Sequence, residues 1–323
     1  MNDVKIGNVL IPGNIFLAPM AGVTDMPYRA LCKEQGASFT YTEMVSAKAL
    51  EYKNKNTIPL IQVSEEEGQA ALQLFGSDPD VLANEALKLE EGPYAFFDIN
   101  MGCPMPKIVG NGDGSALMKN PELVEKIVSK MVKTLHKPVT VKIRKGFSSS
   151  DINAVEIAKI AQGAGAAAVA VHGRSRQDYY SGKADWDIIG QVKAALDIPV
   201  IGSGDIRSGP DAAALFEKSG CDAVMAARGA RGNPWIFSSI AAYLETGREP
   251  ERPGVQEVKE MILKHTRAEI EFYGEDAAIR QMRKHVAWYS AGYPESAALR
   301  RSINTARTFE EFEEILTMWA AVG

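Results

Sequence analysis

"PVTVKIRKGFSSSDINAVEIAKIAQGAGAAAVAVHG", residues 138–173, holds a complete strand–helix–strand unit. "PVTVKI" is a short β-branched run. "NAVEIAKIAQGAG" opens on Asn153, repeats its apolar residues at helical spacing and closes on glycine, and "AAVAVHG" returns to an apolar run. The same alternation extends in both directions. Upstream lie the candidate strands "NIFLAPM", "FTYTEMV", "AALQLFG" and "AFFDINM", and downstream "IPVIGSG" and "AVMAARG", with helical patterns such as "DPDVLANEALKLEEG", "NPELVEKIVSKMVKTL", "DWDIIGQVKAAL" and "GPDAAALFEKSG" between them. Strands alternating with helices imply a parallel sheet, and eight such units in about 240 residues match a closed (β/α)8 TIM barrel. An open doubly wound sheet is the alternative, disfavoured because no GxGxxG opens a helix after a first strand.

From about Ala241 the pattern changes. "TGREPERPG" is a charged linker rich in Pro and Gly, and after it the four segments "VQEVKEMILKHTRAEIEFYG", "DAAIRQMRKHVAWYSAGY", "ESAALRRSINTA" and "TFEEFEEILTMWAAV" all have helical spacing. The expected organisation is a barrel over 1–240 and a small helical bundle over 241–323.

The 323 residues are 46% hydrophobic and 24% charged, enough apolar material for a full-sized core. A formal charge of -5 argues against coating nucleic acid through bulk charge. The N-terminus has no basic segment followed by a sustained apolar one, and no stretch approaches the roughly 18 apolar residues of a membrane span, so a cytoplasmic protein is expected. Cys32, Cys103 and Cys221 form no CxxC pair and no zinc-type spacing with histidine, so neither disulfides nor a metal are expected. Cys32 and Cys221 read as buried small hydrophobes; Cys103, in "NMGCP", lies on a loop between Gly and Pro where it adds nothing to a core.

In a barrel the active site forms where each strand's apolar run stops. Here those positions are more polar than a scaffold needs: Pro19, Met20 and Ala21 place backbone and a thioether after the first strand, with Gln73 after the third, Asn100 after the fourth, Lys142 in the fifth, His172 and Arg174 after the sixth, Ser203, Gly204 and Asp205 after the seventh, and Arg228 and Gly229 after the eighth. A lone Gln or Asn at a strand end usually caps a turn, and a lone His is as often a satisfied core residue. Lys142 differs, because lysine inside an apolar run is seldom buried without a partner. "GSGDIRSG" and "ARGARGNPW" follow the last two strands, where barrels commonly build a phosphate site from backbone N–H groups. Lysine, histidine, amides and a phosphate cradle at one mouth suit flavin mononucleotide (FMN). A phosphorylated sugar fits the cradle too, with Lys142 as a Schiff-base nucleophile.

The motifs "LAPMAGVTDMPYR", "LQLFG", "DINMGCPMPK", "GSALM", "VTVKIRKGF", "VHGRSRQDYYSGKADWDII", "IGSGDI", "ARGNPWIF", "MRKHVAWY" and "LRRSIN" span nearly the whole chain. In that order they resemble the bacterial tRNA-dihydrouridine synthases, most closely the DusB branch. The resemblance implies an FMN enzyme that uses NADPH to reduce the C5–C6 double bond of uridines in tRNA, at D-loop positions. It implies Cys103 as the acid that protonates C5, and FMN contacts at Pro19, Met20, Ala21, Gln73, Lys142, His172, Ser203, Gly204, Asp205, Ala227 and Arg228. Asn100 is implied at the uracil or flavin edge and Arg174 near the substrate. The family's usual "NGD" reads "SGD" here and its usual "GR" reads "AR", which alters side chains at Ser203 and Ala227 but not backbone donors. The resemblance turns the tail into a tRNA-docking surface with Arg280, Arg283, Lys284, Arg300 and Arg301 as contacts. From 241 onward eleven basic residues face fourteen acidic ones, so such a surface must be segregated from stretches like "EEFEE". The rival readings are an FMN dehydrogenase of a free pyrimidine, such as dihydroorotate, and a tRNA-binding protein without catalysis.

Overall fold

The computed structural model describes residues 2–322. All eight expected strands form, as β1 (Ile15–Leu17), β2 (Thr40–Tyr41), β3 (Ala70–Phe75), β4 (Tyr94–Met101), β5 (Val139–Arg144), β6 (Ala168–His172), β7 (Val200–Ser203) and β8 (Ala223–Ala226). They pair in parallel, each with its sequence neighbour, and β8 pairs with β1 through Met225 and Phe16. A bridge from Phe16 to Phe39 joins β1 to the start of β2 and closes the ring.

The two-residue period of β5 shows why this sequence makes a barrel wall. Val139, Val141 and Ile143 point outward into the apolar layer beneath the helices, so Thr140, Lys142 and Arg144 point inward. Its neighbours divide likewise: Phe97, Ile99 and Met101 face out on β4, leaving Phe96, Asp98 and Asn100 inside. At the amino end of the barrel the interior is apolar. Phe39 stacks on Phe96 with ring centres 4.9 Å apart, and Phe16 and Tyr41 fill the space beside them. An antiparallel pair, Val4–Ile6 with Val9–Ile11, seals that end. Only the carboxyl end is left open.

The outer helices include α1 (Met26–Glu34), α2 (Pro79–Lys88), α3 (Pro121–Thr134), α4 (Ala154–Gly163), α5 (Trp186–Ala195) and α6 (Gly209–Ser219). Most begin as their sequences demand. Asp25, Asp78, Asn120, Asp185 and Ser208 each accept a backbone N–H of the first turn, and four of these five helices place proline in that turn. Helix α7 (Ile236–Thr246) follows β8 and packs against α6 and β1, so the junction expected at 240 falls inside it. The barrel ends in the loop 247–254. The tail then forms four helices, α8 (Val255–Tyr273), α9 (Glu275–Tyr289), α10 (Ser296–Ile303) and α11 (Phe309–Val322). Among the described residues no helix is long and apolar enough to cross a membrane.

The tail is not tethered loosely. Helix α8 packs on α1, and the loop after β8 meets α9 at Gly232, whose φ is +64° and whose Cβ, if present, would lie 2.3 Å from the Tyr289 nitrogen. Only glycine permits that approach. Beside it the Arg231 guanidinium lies 5.0 Å from the Trp288 ring centre. A buried pair locks α1 to the loop before β3: Arg29 gives two hydrogen bonds to the Glu67 carboxylate, at 2.5 and 2.9 Å, and two more to the carbonyls of Thr24 and Gln62. Thr40 adds a third bond to Glu67, and neither charged side chain reaches solvent.

Candidate active site

At the open end the strands wall a cavity of about 400 Å³, a size suited to a small ligand or cofactor. Pro19, Met20, Ala21, Asn100, Cys103, Lys142, His172, Ser203, Gly204, Asp205, Ala227 and Arg228 all reach it, as the strand-end reading expects. Gln73 and Arg174 are two sequence-singled positions that do not line it.

Gln73 is fully buried inside the barrel, facing Asp98 and Asn100, and belongs to a chain of bonds that ends on the cysteine loop. Its Nε2 donates to Asp98 at 2.7 Å, and its Oε1 accepts from Asn100 at 2.9 Å. The Asn100 oxygen in turn accepts the N–H groups of Gly102 (3.1 Å) and Cys103 (2.9 Å). Asp98 is anchored by Thr140, 2.5 Å away on β5. Both amides are thereby oriented, and the Cys103 backbone is fixed although it lies outside regular structure. Ser115 ties the same loop from the other side, donating from both nitrogen and hydroxyl to the Cys103 carbonyl. Arg144 completes it with a 2.8 Å bond to the Gly102 carbonyl.

Arg174 is buried against the loop 181–182, donating to the carbonyls of Ser181 and Gly182 and to Asp205 at 2.7 Å. Asp205 also accepts from the Ala184 N–H and from Arg228 at 3.2 Å. Holding these donors keeps the Asp205 carboxyl below its ordinary range despite partial burial. Arg228 stays partly open to the cavity, 4.6 Å from the Tyr180 ring centre.

Burial sets the protonation of the inner groups. Lys142 is brought down to about 8, first by desolvation and then by Arg144, with Asp98 and Cys103 opposing. Asp98 is pushed up to about 6 by burial. His172 falls well below 6.5, through desolvation and then the four cations Lys142, Arg144, Arg174 and Arg228, so its imidazole is neutral. Its Nδ1 accepts the Arg174 N–H at 3.2 Å, which assigns the proton to Nε2. Burial raises the Cys103 thiol, with the Met105 backbone, Arg144 and Lys142 opposing, and the group is held as a neutral S–H.

The ends of β7 and β8 supply a place for an anion. Among the described residues the N–H groups of Gly204 and Arg228 have no partner in the chain, and the Arg228 guanidinium stands beside them. Of the two departures from the family pattern, Ser203 donates its hydroxyl to the Met225 carbonyl, and Ala227 keeps a negative φ of -119°. Neither obstructs the cradle. A flavin phosphate fits this donor set, and Lys142 and the His172 Nε2–H fit the polar edge of its ring.

Three wall residues escaped the sequence reading. Asp98 and Arg144 lie two positions from Asn100 and Lys142 on the same strand faces, so the argument that singled out Lys142 applies to both. Tyr180 sits on a loop and gave no periodic signal. In the tail Arg280, Arg300 and Arg301 are exposed. Arg283 instead donates to the Ala306 carbonyl, and Lys284 donates at 2.6 Å to the carbonyl of Gly22, whose N–H is accepted by Glu43. Lys284 thus steadies the loop that presents Pro19, Met20 and Ala21 to the cavity.

A (β/α)8 barrel whose mouth joins a depressed lysine, a neutral histidine and an unionised thiol has the make-up of an enzyme's active site. Comparison with known proteins agrees in fold: the old yellow enzyme homologue of Zymomonas mobilis superposes with a TM-score of 0.52 at 11% identity, over 77% of this chain and 93% of its own. Morphinone reductase in complex with tetrahydroNAD also gives 0.52, at 12% identity over 78% and 92%. The dihydrouridine synthase (Dus) family profile matches residues 16–322, and the chain belongs to that family. The "Probable tRNA-dihydrouridine synthase" of Rickettsia conorii is 42% identical over 93% of this chain and 91% of its own length. Proteins called tRNA-dihydrouridine synthase B from Xanthomonas campestris and Vibrio parahaemolyticus are each 41% identical, over 95% and 93% of this chain and 92% and 94% of theirs. The DusB-like resemblance holds.

Proposed function

We propose that the protein reduces the C5–C6 double bond of uridines in tRNA to give 5,6-dihydrouridine, with FMN as its resident flavin and NADPH as reductant. The observation that supports this best is the placing of a protonated thiol, Cys103, at the lip of the same cavity that holds Lys142, His172 and the anion cradle. Bound FMN supplies the hydride for C6. The chain's own residues do the rest. Gly204 and Arg228 hold the phosphate, and the Lys142 ammonium and the His172 Nε2–H anchor the ring edge and favour negative charge there. Asp98, Gln73 and Asn100 fix the loop from which Cys103 delivers the proton for C5. A hydride at C6 and a proton at C5 complete the reduction.

Family membership supports this over a Schiff-base role for Lys142 or a free pyrimidine as substrate, and the packed helical tail offers a surface a free base does not need. A uridine in folded RNA must leave its stack to enter the cavity, which favours loop positions such as the D-loop. We place the reaction in the cytoplasm, in keeping with three free cysteines.

The first test is the visible spectrum of the purified protein, followed by release and identification of its flavin and a comparison of NADPH with NADH as reductant. Yellow protein containing FMN is expected; colourless protein that takes up no FMN contradicts the reading. Replacing Lys142 by Ala should weaken flavin binding tenfold or more, since a hydrogen bond to a charged group contributes about 1.5–3 kcal/mol. Full flavin content after extended dialysis would refute that role. For the tail, log affinity for tRNA should fall with log salt by somewhat under one per phosphate contact. Each Arg→Ala change at 280, 300 or 301 should make that slope shallower by about one contact, and an unchanged slope in all three would remove these residues from the surface.

A further inference from the structure

The sequence offers no metal motif, yet folding brings together Asp25, the N-cap of α1, and His265 and Glu269, one turn apart on α8. Their ligand atoms all lie within 4.8 Å of one another and all three side chains are buried. The cluster is outside the cavity, where the barrel meets the tail.

Two buried carboxylates in such a place ordinarily show their donors. Asp25 accepts the Tyr28 N–H at 3.2 Å. Glu269, with no exposed surface, meets no N–H or hydroxyl donor at either oxygen among the described residues and faces the Asp25 carboxyl instead, and the His265 Nε2 has no hydrogen-bond partner. A buried polar group without a partner costs about 1–3 kcal/mol, and a charged one more. The contrast with Glu67 is direct, because there every charge is met by Arg29 and Thr40.

The orientation of His265 adds an independent sign. Its Nδ1 lies 3.3 Å from the Tyr289 hydroxyl, and its ring is stacked on Tyr28. The ring is therefore held from behind, with Nε2 turned to Glu269. Metal-bound histidines are oriented in this way through their second nitrogen. The Nε2 to Oε1 separation is 3.3 Å, with no hydrogen bond between them. Two donors each about 2.0–2.2 Å from a common zinc ion at a tetrahedral angle stand about 3.3–3.6 Å apart.

We propose that Asp25, His265 and Glu269 bind one divalent first-row transition cation, best represented by Zn²⁺, which bolts the helical tail to the barrel. Two carboxylates and a neutral imidazole balance the charge of such an ion. One oxygen each of Asp25 and Glu269 and the His265 Nε2 give three protein donors, and a water completes the four-coordinate shell. The ion plays no part in the chemistry at the cavity.

The test uses the full-length flavin-loaded protein, purified without metal-affinity resin. Chelator-treated protein is titrated with Zn²⁺ by calorimetry, and the bound ion is examined by X-ray absorption at the zinc edge. One equivalent should bind, in a nitrogen and oxygen environment, with a rise in Tm of several degrees. Glu269→Gln should weaken binding about 100-fold, and if that variant fails to fold the wild-type titration and spectrum decide alone. No saturable binding at millimolar Zn²⁺, or a sulfur-containing coordination shell that places the ion on a cysteine, overturns the proposal. The first outcome leaves a proton shared between Asp25 and Glu269 as what occupies the cluster. Because metal content is read directly, the result stands whether or not tRNA is the substrate.

Discussion

Cys103→Ala is expected to keep its flavin and its oxidation of NADPH but to reduce tRNA uridines at least about 100-fold more slowly, the lower end of what a positioned acid contributes. In the proposed reaction the thiol at the lip of the cavity is the proton donor, and its loop is held by Asn100, Ser115 and Arg144 whether or not the side chain is present. Alanine therefore removes the proton without displacing the backbone. The pH dependence follows with a definite sign. The thiol of an unperturbed cysteine titrates near about 8.5, and burial raises that of Cys103. The acid is thus present throughout the neutral range and is lost only as pH rises through the raised value. Wild-type turnover should be flat below that point on account of this group and fall above it, and the fall should be missing from the residual activity of Cys103→Ala. An alanine variant with undiminished turnover would remove Cys103 from the reaction.

Arg29→Ala should cost the barrel about 3–5 kcal/mol, the usual penalty for stripping one partner from a buried ion pair. Glu67 would be left with the Thr40 hydroxyl alone to meet a carboxylate that has no access to water. The melting temperature should drop on the order of 10 °C. Replacing Arg29 and Glu67 together by Met and Gln, of similar volume, should recover much of the loss, because the charge and its need for a partner disappear at once. A single variant within a degree or two of wild type would show that Glu67 finds solvent or a proton in the folded protein. The pair lies between the loop before β3 and the helix that follows Pro19, Met20 and Ala21, so a softened pair should also lower flavin retention.

Most of the barrel was legible because each strand and helix states itself locally. "VTVKIR" announces a wall strand by its alternation, and Asp78 or Asn120 before proline announces a helix start. The amino-terminal pair "VKIGNVLI" is absent from the expected strands although its apolar residues alternate around Gly7 and Asn8, and its role as a plug depends on the aromatic interior it covers. Residue 240, where the sequence puts the junction, falls within α7, which is helical in sequence like the tail and packs on β1 and α6. In the site, strand-end residues could be found from the rule that barrels work at one end. What sequence withholds is partnership. That Gln73 supports Asn100 from within the barrel, and that Lys284 reaches Gly22, follow from contacts between segments far apart in the chain. The cluster of Asp25, His265 and Glu269 is invisible for the same reason.

The central claim is that this cavity reduces a uridine within tRNA. It is tested most directly by incubating the purified protein with FMN, NADPH and tRNA from a strain lacking dihydrouridine, then digesting the tRNA and reading its nucleosides by mass spectrometry. Dihydrouridine is expected in place of uridine at a defined loop position, formed by the wild-type protein and at least about 100-fold more slowly by Cys103→Ala. Flavin-loaded protein that oxidises NADPH yet leaves every uridine of that tRNA unreduced would contradict it.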